Sequence, residues 1–337
     1  MPKLRLSFIS GFNERVDPLM KGIVEAEGIE LVPTYSHPSE TFWRQLKSQE
    51  FEVGEMSMSS YLIARERGFD MIALPVFPSR RLFHTEISYH LDSGIEKPED
   101  LVGKRMGVGE YQQTAALWQR GILERDFGVS QYKVHWFMER TEELSHGGQT
   151  GFTPPQGISF QRIPTDKSMA SMLVNHELDG AAINSPWQNM PTFIGRSHRI
   201  PGSESDWSKV KPLFSDRMAE GKRFFQKWGF LPVNHAYTIR RDVYEKYPWA
   251  AFNLYSAFVK AKAHFNARLV DSIPSGLFFG KEYLAMTQEI FGSDPYTYGI
   301  KENRKMLGIL IDFSHEQGLI KIKPKIEDLF ARSTLDL

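Results

Sequence analysis

Arg15 closes the string Gly11-Phe12-Asn13-Glu14-Arg15, directly after an alternating run from Leu4 to Ser10. A cation at a strand-to-helix turn, beside a helix N-terminus, suits an anionic ligand. A plain surface arginine is the competing reading. Arg80 follows the apolar run Met71–Phe77, and its planar fork can hold a carboxylate through two bonds, or else a surface salt bridge. His37, in Tyr35-Ser36-His37-Pro38, titrates in the range that suits proton transfer, although a histidine before proline also reads as a solvated turn. His84 and Glu86 stand two apart in an alternating stretch. On a strand they would share a face about 6.6 Å apart, able to serve one substrate or one metal. The wet face of a hinge strand is the alternative. His90 would lie about 20 Å further along and could not join them. Glu55, Ser57 and Ser60 surround a third strand–helix junction, where the serines either donate to an oxyanion or cap the helix. Gly107 to Thr114 form the matching junction further on, with Tyr111 and Thr114 as candidate contacts, and Asn184 ends a later strand. That glycine pair lacks the third glycine and the acid of a dinucleotide fingerprint, and no His-Glu-x-x-His or calcium loop occurs.

Composition narrows the classes that these residues could serve. The 337 residues suggest about two domains. Lys+Arg and Asp+Glu are equal at 41 each, so the basic excess that nucleic acid demands is absent. With no cysteine, disulfides, zinc clusters, iron–sulfur centres and thiol nucleophiles are excluded together. Arg5 and Ser7 interrupt any secretory core near the start, and no window approaches the roughly 18 apolar residues of a membrane span. A cytoplasmic protein without membrane contact is expected.

The elements that must position these side chains read as α/β. Strands are expected at Leu4–Ser10, Glu30–Tyr35, Phe51–Met58 and Met71–Phe77. Helices are expected at Val16–Glu27, Thr41–Gln49 and Ser60–Arg67, with Ser39 as the cap of the second. This order implies a parallel sheet with helices on both faces. Phe83–Leu91 alternates as a strand long enough to cross between domains. Beyond it come strands at Lys104–Gly109, Val134–Met138 and Gly180–Asn184, and helices at Thr114–Phe127 and Ser168–Asn175. Glu139–Pro164, rich in Gly, Pro, Thr and Gln, reads as a functional loop or lid. Helices return at Ala250–Leu269 and Asn303–Glu316, the latter stopped by Gly318. With Gly195–Pro212 as return linker, the reading is one discontinuous lobe of residues 1–88 and 200–337, and a second lobe of 89–199. Two such lobes place a ligand cleft at the hinge.

Several strings carry a resemblance. They are Leu74-Pro75-Val76-Phe77-Pro78-Ser79-Arg80 with His84, Asp100 to Val108, Trp118-Gln119-Arg120-Gly121, Pro232-Val233-Asn234-His235 with Pro248-Trp249, and Tyr298-Gly299 with Asn303-Arg304 and Glu316-Gln317-Gly318-Leu319. Spanning nearly the whole chain, they resemble the 4,5-dihydroxyphthalate decarboxylase family, which implies a type II periplasmic-binding-protein-like fold used as a cytoplasmic enzyme. The resemblance implies that one carboxylate of a small aromatic dicarboxylate leaves as carbon dioxide while an acid protonates the ring, giving protocatechuate. The ring itself accepts the electrons, so no cofactor is implied; a divalent ion held by Glu and His is the alternative. The resemblance adds Asn234 and His235 to the candidates. It places a second arginine where this chain has Phe83, with Arg81 as the nearest substitute. The expected set is therefore catalytic His37, His84, Glu86 and His235, with Arg15, Glu55, Ser57, Ser60, Arg80, Arg81, Tyr111, Thr114, Asn184 and Asn234 at the substrate. The other histidines, His146 among them, read as surface residues. A homo-oligomer is expected. The rival reading is a solute-binding protein that hands a small organic carboxylate to a transporter. A menaquinone-branch lyase is a third, and the thiamin-pyrimidine type lacks its Cys-rich motif here.

Overall fold

The structure is a computed structural model that describes residues 2–183 and 207–337, so Asn184 and most of the expected return linker lie outside the described residues. The chain divides into two compact units. Met1–Arg80, Phe225–Ile309 and Pro324–Leu337 make the first; Arg81–Phe224 and Leu310–Lys323 make the second. The first handover thus falls at Arg81 rather than near residue 88. The return comes at Phe225 rather than near 200.

The chain begins with β1 (Leu4–Ser10), α1 (Asp17–Met20), β2 (Ile29–Tyr35), α2 (Pro38–Ser48), β3 (Val53–Ser57), α3 (Met58–Glu66) and β4 (Met71–Arg80). It continues through β5 (Ser88–His90), β6 (Arg105–Val108), α4 (Thr114–Phe127), β7 (His135–Met138), α5 (His146–Thr150), β8 (Ser159–Arg162), α6 (Met169–Val174), β9 (Gly180–Ala181), β10 (Val210–Pro212) and α7 (Arg217–Trp228). It then returns as β11 (Val233–Arg240), α8 (Arg241–Lys246), α9 (Trp249–Asn266), α10 (Gly280–Phe291) and α11 (Arg304–Glu316).

The first unit holds a five-stranded sheet in the order β2-β1-β3-β11-β4. β1 runs parallel to β2 and β3, while β11 inserts antiparallel between β3 and β4. The carboxyl ends of β1 to β4 therefore gather at one edge, together with the amino end of β11. That is where open α/β sheets hold ligands. All five residues of β3 are buried, as a central strand requires. The core beneath is aromatic: Tyr237 stacks on Phe258 at 4.3 Å between ring centroids, and Phe8 packs on both. The second unit holds a sheet in the order β10-β5-β9-β6-β7-β8, with β6 parallel to β7 and β9, and β7 parallel to β8.

Four expected elements take another form. The helix over Val16–Glu27 shrinks to the single turn of α1, because Gly22 adopts φ +69 and ends it. His37, rather than Ser39, caps α2: its Nδ1 accepts from the Ser39 amide at 3.3 Å, and Pro38 fills the first helical position. Phe83–Leu91 is not one strand. Phe83–Glu86 coil as a 3-10 turn closed by Thr85 N–H on the Leu82 carbonyl at 3.0 Å, and only Ser88–His90 extend. Glu139–Pro164 is not structureless either. Ser145 caps α5 by accepting from the Gly148 amide, and Ser159–Arg162 pair with β7 as a full strand.

Candidate active site

The gathered edge of the first sheet carries a buried acid–base pair. Antiparallel register sets His235 opposite Ser57 and Tyr237 opposite Glu55, so Glu55 and His235 are diagonal neighbours on one face. Glu55 Oε1 lies 2.6 Å from His235 Nδ1. Its other oxygen accepts from the Gly11 amide at 2.9 Å. Burial alone would raise the Glu55 carboxyl. The His235 ring and the bonds from His235 and Gly11 outweigh it and hold the group below its ordinary 4.5. Glu55 is therefore an ionised acceptor, which makes His235 Nδ1 the donor and leaves Nε2 for chemistry. The ring is steadied by Phe42, edge-on at 4.7 Å. Gly11 cannot be replaced cheaply here, since a Cβ would come within 2.8 Å of Pro38 Cγ. Beside the pair, the Tyr237 hydroxyl meets Ser10 Oγ at 2.7 Å. Burial and the Glu55 charge keep that phenol protonated.

Two arginines of this edge have different duties. Arg15 keeps its guanidinium 3.4 Å over the Tyr296 ring, with its neighbour Glu14 at 2.8 Å, and its side chain is 12% exposed. Arg80 turns both terminal nitrogens onto the protein itself, while its Nε is buried without a partner. Its Nη1 donates to the Leu231 carbonyl at 3.0 Å, and its Nη2 to the Thr297 carbonyl at 2.7 Å and to Asn303 Oδ1. Burial brings that guanidinium down to about 10, still cationic at neutral pH. The expected carboxylate role of Arg80 thus gives way to fastening Thr297, whose neighbour Tyr296 lies under the Arg15 guanidinium. Tyr298, absent from the expected set, has a buried hydroxyl without a hydrogen-bond partner, and burial holds it protonated against the charges of Arg15 and Arg80. Its place in the Tyr298-Gly299 string was the available clue. Ser57 Oγ lies 3.5 Å from Ser59 Oγ, the Ser60 hydroxyl is buried without a partner, and Asn234 is buried on β11. His37 is exposed in its capping role.

The remaining candidates belong to the second unit. His84 does not share a strand face with Glu86. Its Nε2 meets Glu220 Oε1 at 2.7 Å, and its fully buried ring packs on Phe224 at 5.0 Å. Glu86 is bound by Arg81 through two bonds of 2.8 and 2.6 Å, which removes Arg81 as a free carboxylate ligand. Tyr111 is a core residue: its hydroxyl donates to Gln131 at 2.6 Å and its ring lies under Arg120 at 3.8 Å. Thr114 is buried in the first turn of α4. At the carboxyl ends of β6 and β7, Glu110 and Arg140 pair at 2.5 Å beside His146. His146 is thus buried, not a surface residue. Among the described residues, His90, Asp92 and His176 form a group with metal-ligand atoms within 4.8 Å of one another. The two imidazoles stack in nearly parallel planes at 4.5 Å, and Lys209 lies 3.3 Å from Asp92. Rings so stacked do not converge on one ion, and the lysine competes for the carboxylate.

The chain is similar in sequence and fold to proteins already known. A family model described as ABC transporter, phosphonate, periplasmic substrate-binding protein matches residues 11–186. A Comamonas testosteroni protein named 4,5-dihydroxyphthalate decarboxylase is 30% identical over 339 residues, covering 100% of this chain and 99% of its own. One of Pseudomonas putida with the same name is 35% identical over 215 residues, covering 62% of this chain and 83% of its own. The periplasmic aliphatic sulphonate binding protein SsuA from Escherichia coli superposes with a TM-score of 0.56 at 13% identity, with both chains fully covered. That likeness shows the fold, a periplasmic-binding-protein-like α/β architecture.

Proposed function

The chain belongs to the 4,5-dihydroxyphthalate decarboxylase family, and from that premise we propose a carboxy-lyase that converts 4,5-dihydroxyphthalate to protocatechuate and carbon dioxide. The observation that carries the mechanism is the buried pair of Glu55 and His235, 2.6 Å apart at the strand edge. Each carboxylate of this substrate has a hydroxyl para to it. Electron release from that hydroxyl loads the ipso carbon, which takes a proton from His235 Nε2. The carbon–carboxylate bond then breaks, its electrons return to the ring, and carbon dioxide departs, so each turnover consumes one proton. Glu55 orients the imidazole and stabilises its cationic form, as a carboxylate does behind a catalytic histidine. Arg15 supplies charge for the retained carboxylate, and Tyr298, held protonated, can donate but not act as a base. A binder needs orientation alone, and a buried acid–base pair exceeds that need.

The proposal extends to a cytoplasmic protein that associates with its own copies. The cysteine-free composition fits a reducing compartment, and no described helix is long and apolar enough to cross a membrane. Self-association is supported by α10, which contributes no buried residue and carries Tyr283, and by Leu277, Phe278 and Phe279 just before it, all four more than half exposed.

The test is an incubation of purified protein with 4,5-dihydroxyphthalate, with and without a chelator, following protocatechuate by absorbance. Turnover that ignores the chelator is expected. Chelator-sensitive turnover would overturn the metal-free mechanism. Absent turnover, with tight binding of an unrelated carboxylate, would overturn the enzyme reading in favour of solute capture.

A further inference from the structure

Phe12 is 75% exposed, although it directly follows Gly11, whose amide binds the Glu55 carboxylate at 2.9 Å. An exposed aromatic on a slack loop would mean little, but this turn is fastened on both sides. Ser10 Oγ donates to the Gly11 carbonyl at 2.9 Å. Asn13 Nδ2 donates to the Pro78 carbonyl at 3.1 Å, tying the far side to β4. The Asn13 side chain accepts from the Arg15 amide at 3.0 Å, and its carbonyl accepts from Val16 and Asp17 at 2.9 and 2.8 Å. Phe12 is thus presented between two anchored residues, with its Cα about 3.8 Å from that of Gly11. It stands one residue from the Glu55 anchor and three from Arg15.

We infer that Phe12 is the platform on which the aromatic ring of the substrate stacks, and so sets the preference of this site for planar carboxylates. The inference rests on the proposed decarboxylase reading for its substrate. Glu55, His235 and Arg15 recognise charge and move a proton, and none of them distinguishes a flat ring from a puckered one. A phenyl face does, because offset stacking needs a planar partner. Phe12 offers no hydrogen bond, so it contributes to binding and leaves proton transfer to the pair.

The test uses Phe12→Ala and Phe12→Trp in the full chain. Binding is measured for phthalate and for cyclohexane-1,2-dicarboxylate, which carries the same charges on a puckered ring. For Phe12→Ala, phthalate affinity and the KM for 4,5-dihydroxyphthalate should worsen about 3- to 10-fold, within the range of one aromatic contact. Its kcat should stay within about twofold, and the cyclohexane dicarboxylate should bind as to the wild type. Phe12→Trp should restore phthalate binding. Removing an exposed side chain should leave Tm unchanged, so loss of folding does not obscure the result. Equal effects on both dicarboxylates, or none on either, would overturn the inference. Phthalate discrimination without turnover by the wild type would keep the platform and reject the decarboxylase; turnover with no discrimination would do the reverse.

Discussion

Glu55 and His235 depend on one another in a way that single substitutions can expose. Glu55→Gln keeps the shape but removes the charge behind the imidazole, and kcat should fall about 10²- to 10³-fold with KM nearly unchanged. Because the Glu55 carboxyl titrates below 4.5, its protonation should limit the wild-type rate only below that pH. A pH–rate profile with an acid limb governed by this carboxyl at neutral pH would contradict the assignment. Arg80→Ala and His84→Gln should behave differently. Arg80 fastens backbone carbonyls and His84 backs Glu220, so both variants should lower Tm while the surviving folded enzyme keeps its kcat. Unchanged Tm with a collapsed kcat in His84→Gln would return His84 to the active site. At this scale the sequence pattern put Arg15 and Glu55 beside strand ends, whereas His235 entered through the family resemblance alone, since the strand that carries it, Val233–Arg240, was not expected. The pattern did not show which charges were already spent. Arg81 and Glu86 neutralise each other five positions apart, and Arg80 turns inward, because side-chain pairing depends on tertiary distances that spacing does not encode.

The Trp118–Gly121 string and the Glu316–Leu319 string meet as packing, not chemistry. Arg120 Nε donates to Gln317 Oε1 at 2.9 Å, and Gln317 Nε2 donates to the Leu117 carbonyl at 2.9 Å. Trp118 sets its edge against Phe313 at 5.5 Å. Gly121 lets α4 approach that same ring, for a Cβ there would lie 2.2 Å from Phe313. Gly121→Ala should therefore destabilise the fold by about 1–3 kcal/mol through overpacking, read as a lowered urea midpoint, and a neutral effect would show that Phe313 has room to move. Most central elements were legible, because β1, β3, β4, α4 and α9 announce themselves by apolar period and caps. The failures have local causes. Phe83–Leu91 alternates by type, yet the Leu82–Thr85 turn buries His84 in an aromatic pocket. In Glu139–Pro164 the glycines and prolines hide a short capped helix and a strand, Ser159–Arg162, whose pairing with His135–Met138 neither composition nor period reveals.

For the molecule as a whole, a net charge of zero conceals buried acids whose partners lie far along the chain. Glu55 and Glu110 would be raised by burial, but His235 and Arg140 respectively hold each below 4.5, and Glu220 is lowered likewise beside Arg223 and His84. Carboxyls depressed in the folded state contribute stability above their unfolded values, and that contribution is lost as pH falls through the folded ones. The urea midpoint should thus hold steady from about pH 7 to 5 and fall progressively below about 4.5. A midpoint that rose with acid would contradict these pairings. The fold class could be read from element order, because alternating strand and helix patterns already imply a layered α/β sheet. The most direct test of the central claim is single-turnover decarboxylation of 4,5-dihydroxyphthalate by wild type, Glu55→Gln and His235→Asn at equal substrate occupancy. The wild type should release one carbon dioxide per protocatechuate, and both variants should bind substrate yet slow the chemical step about 100-fold or more. Wild-type rates in either folded, substrate-bound variant would contradict proton delivery by this pair.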